Sequence, residues 1–347
     1  LICENKLINP LKAYRILVVD ADIELAQVLK AMLREMGFSN VHLTKSGVDA
    51  ISLMRTMVFD FIITEWATQQ LDGIAMLEFI RRNPNSPNPT IPIIMLTGRA
   101  EQVDVALARD YGINEYVIKP FTAKSIYSRL ERIVEQPRSF VVAKTFVGPD
   151  RRSREKPQEE DKERRVQKTL PKLKPKEVLK ALYDDSDEPK IWLPDFTLRL
   201  KLGKNMNLND FITPEVLEQS QAAINSITNS SLHWIRNNLH ELQLMYETML
   251  SSNPPPSIAS DISDIALTIN SRAGTFGYSR AGEIAYTLYL FSRTKLNPQN
   301  TNHAIIIKKH IDVLNIFLGT QMSGDAGAIG LQIATELKTL ISKYSKN

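Results

Sequence analysis

Candidate chemistry in this chain concentrates where apolar runs stop on polar side chains. The stretch FDFIITEWATQQLDG (59–73) reads as a buried strand ending on the carboxylate of Glu65, followed by a loop closed by Asp72 and Gly73. RILVVD (15–20) ends likewise on Asp20, with Asp22 two residues further on. Thr97 follows IPIIML (91–96), and EYVIK (115–119) ends on Lys119. Two carboxylates, a hydroxyl and an ammonium thus follow separate apolar runs, and the chemistry most often built at such a strand end calls for Asp, not Glu. The helical second half offers His233, His240, His303 and His310, each alone on its pattern, which suits surface or satisfied core positions better than a ligand set. The single cysteine, Cys3, leaves no partner in this sequence for a disulfide or a Cys-based metal cluster and fits a reducing compartment.

The elements that would position these groups are legible in the hydropathy pattern. RILVVD, NVHLT (40–44), DFIIT (60–64), IPIIML and EYVIK predict five strands too continuously apolar for a sheet with a wet face. Leu25, Leu29, Met32, Leu33 and Met36 mark a helix face, and Gly37 follows where a left-handed cap would sit. Helices expected after Lys45, Asp72, Arg99 and Thr122 complete five strand-helix units, a doubly wound parallel sheet whose ligands sit beyond the carboxyl ends of the strands. After Pro214 the strand signals stop. A pattern through Ile224, Ile227, Trp234, Ile235, Leu239, Leu242, Met245 and Met249 runs to the breaker NPPPS (253–257), and helices are expected over 258–272, 279–294, 303–320 and 328–344. Short connections predict an all-α helical bundle.

Between the halves, 148–190 mixes both charge signs with several prolines and few large apolar residues, the composition of a solvated tether, disordered or partly helical. The expected organisation is 13–136, a charged linker over 137–209, and a bundle over 210–347. The chain of 347 residues, 43% hydrophobic, is long enough for two cores at roughly 150 residues each. A formal charge of +4 does not by itself argue for nucleic acid. No apolar run approaches the ~18 residues that cross a bilayer, and the opening LICENKLINP has no secretory pattern, so a cytoplasmic protein without a membrane partner is expected.

Residues 13–136 resemble the receiver domain of two-component response regulators, through VVD (18–20), EW with LDG (65–73), MLT (95–97) and YVIKPF (116–121) in that order. The resemblance implies a site in which a strand-end Asp takes a phosphoryl group from a kinase histidine while an acid pair holds Mg²⁺. It also implies that a hydroxyl and a Lys contact the phosphoryl oxygens. Carried over, Asp20, Thr97, Lys119 and the aromatic switch position Tyr116 match. The second acid reads Ala21, the phosphoacceptor position reads Glu65, and Asp22 lies one residue too far along. Mg²⁺ would then rest on Asp20 alone. The added methylene of Glu65 carries its carboxylate toward the space of the phosphoryl, and a misplacement of about 1 Å can cost on the order of a hundredfold in rate. Three states are open: a constitutive active-like receiver, an inert scaffold, and residual phosphorylation.

Residues 261–294 resemble the central hairpin of histidine phosphotransfer domains, and more closely a phosphotransfer-like domain that follows receivers in some alphaproteobacterial proteins. Ala266, Ile269, GTFGY (274–278), KHIDVL (309–314) and GDAGAIG (324–330) carry the likeness. The histidine position reads Leu267, the following Lys reads Asn270 and a glycine position reads Ser271, with Arg272 beside them, so the phosphotransfer site is degenerate. The expected function is a non-enzymatic phosphorelay signalling protein that binds a histidine kinase, a phosphotransfer protein or a receiver. The alternatives are a phosphorylatable regulator using Asp22 or His310, and a nucleic-acid binder using the basic linker. Oligomeric state is left open.

Overall fold

The computed structural model describes residues 9–66, 68–151, 174–184, 188–192, 197–203, 205–226, 228–319 and 327–344. Cys3, Ile227, residues 152–173 of the expected linker and residues 324–326 of GDAGAIG lie outside these ranges. Contacts divide the chain into a unit of residues 1–117 with 123–220 and a unit of residues 118–122 with 221–347.

In the first unit the five expected strands form: β1 (Arg15–Val19), β2 (Asn40–Thr44), β3 (Phe61–Thr64), β4 (Ile93–Thr97) and β5 (Glu115–Ile118), in sheet order β2-β1-β3-β4-β5. β1 pairs in parallel with β2 and β3, setting Val19 beside Thr44 and Thr64, and β3 pairs in parallel with β4. The helices are α1 (Ile23–Glu35), α2 (Gly47–Thr56), α3 (Gly73–Arg82), α4 (Gln102–Asp110) and α5 (Ala123–Glu135). Asp22, Ser46 and Asp72 cap α1, α2 and α3, each accepting from backbone N–H groups of the first turn. Gly37 adopts φ +103°, the left-handed conformation its position after α1 calls for. Leu17, Val19, Ile62 and Met95 bury one sheet face against Ile51, Met54, Leu77 and Ile80. Both sheet faces are covered, which is why the strands read as continuous apolar runs.

The expected charged linker is corrected by the fold. Within 137–209, β6 (Phe140–Ala143), β7 (Phe146–Pro149) and β8 (Lys190–Trp192) form an antiparallel sheet in the order β7-β6-β8. α6 (Pro175–Leu182) packs on it, and Phe140, Val142, Val147, Val178 and Trp192 make a small buried core. Short strands among charged residues hid this sheet in the composition. The layer is joined to the five-stranded sheet by the fully buried Arg81, whose guanidinium lies 5.7 Å from the ring centre of Phe140. At Gly112, a Cβ would fall 2.2 Å from Val147 O, so only glycine admits this approach of β7. α7 (Thr197–Leu202) follows, and its Leu198 carbonyl accepts from the Tyr14 hydroxyl.

α8 (Pro214–Ser226) spans the 220/221 division of the contacts, and the bundle was expected from residue 210. The second unit is all-helical: α9 (Thr228–Met249), α10 (Ile258–Thr275), α11 (Ser279–Thr294), α12 (Thr301–Gly319) and α13 (Gly327–Tyr344). α10 and α11 pack closest, because Gly282 lets Asn270 O and Gly274 N come within 3.3 Å of where a Cβ would stand. No helix among the described residues is long and apolar enough to cross a membrane.

Candidate functional site

The strand order reverses direction between β1 and β3, and in such sheets the crevice beyond the carboxyl ends at that point is the ligand site. Asp20 and Glu65 follow β1 and β3 there, Thr97 ends β4, Tyr116 lies on β5, and Lys119 stands one residue beyond it. Asp20 is buried at 5% exposure, Thr97 at 1% and Lys119 at 3%. The Lys119–Pro120 bond is cis.

The carboxylates are directed by the main chain around them. Asp20 Oδ1 accepts from Asp22 N–H at 2.8 Å. Asp22 Oδ1 accepts from Leu25 N–H at 3.2 Å, so this acid, the nearest replacement for the missing member of a pair, serves as the cap of α1. Ala21, between them, is exposed and supplies no donor. Glu65 is half-buried, and its Oε1 turns back to accept from the N–H of Trp66 at 2.6 Å. Its backbone N–H donates to Val19 O at 2.8 Å. Its carbonyl lies where a Cβ on Gly73 would come within 2.2 Å, which explains the glycine after Asp72.

The surrounding polar groups are equally engaged. Thr97 Oγ1 faces Arg99 N–H at 3.4 Å. The Tyr116 hydroxyl donates to Arg99 O at 2.8 Å. Burial, followed by the negative field of Asp104 and Glu65, raises the Tyr116 phenol well above its ordinary range, so it stays a proton donor at any physiological pH. The Arg99 guanidinium lies over the Trp66 ring at 4.9 Å and 3.9 Å from Asp104. Trp66 was read in the sequence only as part of the EW motif and Arg99 not at all as part of the site; the place of Trp66 directly after the strand-end acid was the available signal.

The fit to Mg²⁺ fails on donor chemistry. Mg²⁺ takes near-octahedral oxygen coordination, and here Ala21 offers no side-chain oxygen, Asp22 caps α1 and Glu65 Oε1 is turned onto Trp66 N–H. Among the described residues no cluster of three or more His, Cys, Asp or Glu side chains is placed to hold a metal.

In the helical unit Leu267 is half-buried on α10 beside the buried Ala266 and the half-buried Thr268, and Asn270 and Ser271 are buried. Arg272 is half-buried. His310 is fully buried, its Nδ1 2.8 Å from Ile306 O and its Nε2 3.1 Å from the Thr287 hydroxyl. Burial pushes its pKa down to about 4, so the ring is neutral at physiological pH. His303 packs edge-on against Phe291, and its Nδ1 accepts from Asn297 N–H. Both are satisfied core histidines.

A family profile described as the response regulator receiver domain matches residues 16–131. The chemotaxis protein CheY-3 of Vibrio cholerae is 31% identical over 125 residues, covering 36% of this chain and 95% of that protein. The chemotaxis protein CheY of Pseudomonas aeruginosa is 31% identical over 122 residues, covering 35% of this chain and 97% of that protein. Among solved structures, the receiver domain of a sensor histidine kinase from P. aeruginosa, with magnesium in its active-site cleft, is 31% identical over 34% of this chain and 95% of that chain, with a TM-score of 0.31. The profile and the two chemotaxis proteins, each at 31% identity over nearly its whole length, place the chain in the response regulator receiver family of two-component signalling, its receiver domain spanning residues 16–131.

Proposed function

We propose that this chain is an atypical response regulator that acts through protein–protein contacts and does not relay phosphate. Glu65 holds the position of the phosphoacceptor, and the observation that carries the reading is its Oε1 bound back to Trp66 N–H at 2.6 Å. A nucleophile must present a lone pair in line with the phosphorus, and tolerance for misplacement is small. The Glu65 carboxylate is both longer than that of Asp and turned toward its own backbone. Neutralisation of charge on an incoming phosphoryl is also weakened, because Ala21 takes away the second acid that would hold a divalent ion. What stays at the strand ends is a fixed negative group, the kind of local charge that biases a switching element without chemistry. The helical unit, with Leu267 at the phosphotransfer position, contributes a binding surface in this reading. Its partners are a histidine kinase, a phosphotransfer protein or another receiver, and the setting is cytoplasmic.

The test is incubation of the full chain with acetyl phosphate and with a histidine kinase, scored by phosphate-affinity electrophoresis and intact mass. The unmodified chain should remain unlabelled, and the double variant Glu65→Asp with Ala21→Asp should gain one hydroxylamine-sensitive phosphate. Ready labelling of the unmodified chain at such a site overturns the proposal.

A further inference from the structure

At the amino-terminal ends of β3, β4 and β5, the end of the sheet away from Glu65, lies a cavity of about 180 Å³. Half its wall comes from the loops before these strands and from α5. The rest comes from Gln136, Pro137 and Arg138 after α5 and from Phe140 of β6, Pro149 of β7 and the start of α7, so segments beyond residue 131 complete the cavity. Its floor is apolar: Phe59, Ile91, Ile133, Phe140 and Leu198. Its charged wall is Glu115 with Arg132 and Arg138, and Arg129, outside the lining, reaches the same carboxylate. Arg129 and Arg132 approach Glu115 Oε2 at 3.7 and 3.6 Å, and Arg138 approaches Oε1 at 3.8 Å. Asp60, the other acid on the lining, is occupied by Lys201 Nζ at 2.5 Å and Arg15 N–H at 2.7 Å.

These distances matter. A guanidinium–carboxylate hydrogen bond closes at about 2.7–2.9 Å, so one carboxylate shared among three arginines satisfies none of them fully. Arg129 and Arg138 also donate to backbone carbonyls, Tyr116 O and both Asp150 O and Asn114 O respectively. Arg132, half-exposed at 51%, has the single contact to Glu115 and keeps its fork of donors for another acceptor. Asn88 adds a second donor: its Oδ1 accepts from the Thr90 hydroxyl and N–H at 2.8 and 3.1 Å, which leaves its NH₂ group to offer. A forked cation and an amide donor on the wall, over a floor of aliphatic and aromatic side chains, match an anionic head on a compact apolar body.

We propose that this cavity binds a small organic anion, a carboxylate or phosphate carried on a short apolar body, with Arg132 gripping the head. Isothermal titration of the full chain with benzoate and with phenyl phosphate, at constant ionic strength, tests it, with benzyl alcohol as the uncharged probe. At least one anion should bind at one site per chain, and benzyl alcohol should not. Arg132→Gln should weaken the anion at least tenfold, and Arg132→Lys should weaken it less, because charge remains while the fork is lost. Circular dichroism on both variants checks that the fold is kept. No binding of either anion at millimolar concentration, equal binding of benzyl alcohol, or unchanged affinity in a folded Arg132→Gln chain each overturns the proposal. The labelling test on Glu65 does not bear on this result, nor this result on it.

Discussion

Replacing Arg81 by Leu should break the join between the receiver sheet and the layer added to it. Arg81 is fully buried on α3, and its four hydrogen bonds all go to neutral acceptors. Nε donates to Gly112 O at 3.0 Å, Nη1 to Pro89 O at 2.7 Å and Ile91 O at 2.8 Å, and Nη2 to Asn114 Oδ1 at 2.9 Å. Burial pushes its pKa down to about 9, still protonated at neutral pH. Leucine keeps part of the volume but strands these acceptors, at about 1–3 kcal/mol for each left buried without a partner. Relief of the desolvated guanidinium works in the opposite direction, so the net loss should be about 3–5 kcal/mol. In a cooperative unit of about 200 residues that lowers the melting midpoint by roughly 6–20 °C. Urea unfolding followed by the fluorescence of Trp66 and Trp192, both in this unit, measures it. The neighbouring Arg82, half-exposed with one bond to Lys144 O at 3.1 Å, is the control, and Arg82→Leu should stay within about 1 kcal/mol. A loss at Arg81 no greater than at Arg82 would refute the reasoning.

The other predictions are as specific. Gly73→Ala puts a Cβ 2.2 Å from Glu65 O, a backbone atom that cannot give way cheaply, and should cost about 3 kcal/mol or more by thermal unfolding. His310 has its folded pKa depressed to about 4 from 6.5, so the unfolded chain takes up the proton first as pH falls. The stability its neutral form contributes is complete above about 6.5 and is lost toward about 4, roughly 3 kcal/mol in all; His310→Gln should flatten the acid limb of a stability–pH curve for the helical unit. Leu267→Asp should lower the midpoint of that unit less than Ile269→Asp, because Leu267 is half-buried and Ile269 fully buried; equal losses would place Leu267 in the core.

Much of this was legible in the sequence because one physical rule dominates it. Strands covered on both faces must be apolar throughout, so RILVV, FIIT and IIMLT declare themselves, and capping carboxylates such as Asp22 and Asp72 mark where the following helices begin. The added sheet was hidden because its strands have three or four residues, too few for periodicity to speak, and they sit among charges. Arg81 was hidden by its neighbour: Arg-Arg at a helix end reads as two surface cations. The missed signal was spacing, since Leu77 and Arg81 are four apart and share the buried face of α3. At the candidate site, the identities and order of Asp20, Glu65, Thr97, Tyr116 and Lys119 could be read in advance. The backward turn of the Glu65 carboxylate could not, because it depends on where Trp66 N–H points once β3 ends.

The contact between Gly73 and the Glu65 carbonyl separates backbone from side chain at the centre of the site. The main chain at position 65 is fixed from outside, by the N–H bond to Val19 O and by the bare Cα of Gly73, neither of which senses the side chain attached there. Position 65 is therefore a socket: its main chain is held from outside, and what a substitution there releases is the Trp66 N–H that Glu65 Oε1 accepts from. A saturation library at this codon would sample chemistry on a constant scaffold, and differences in its signalling output could be assigned to the group at 65 and not to a disturbed fold.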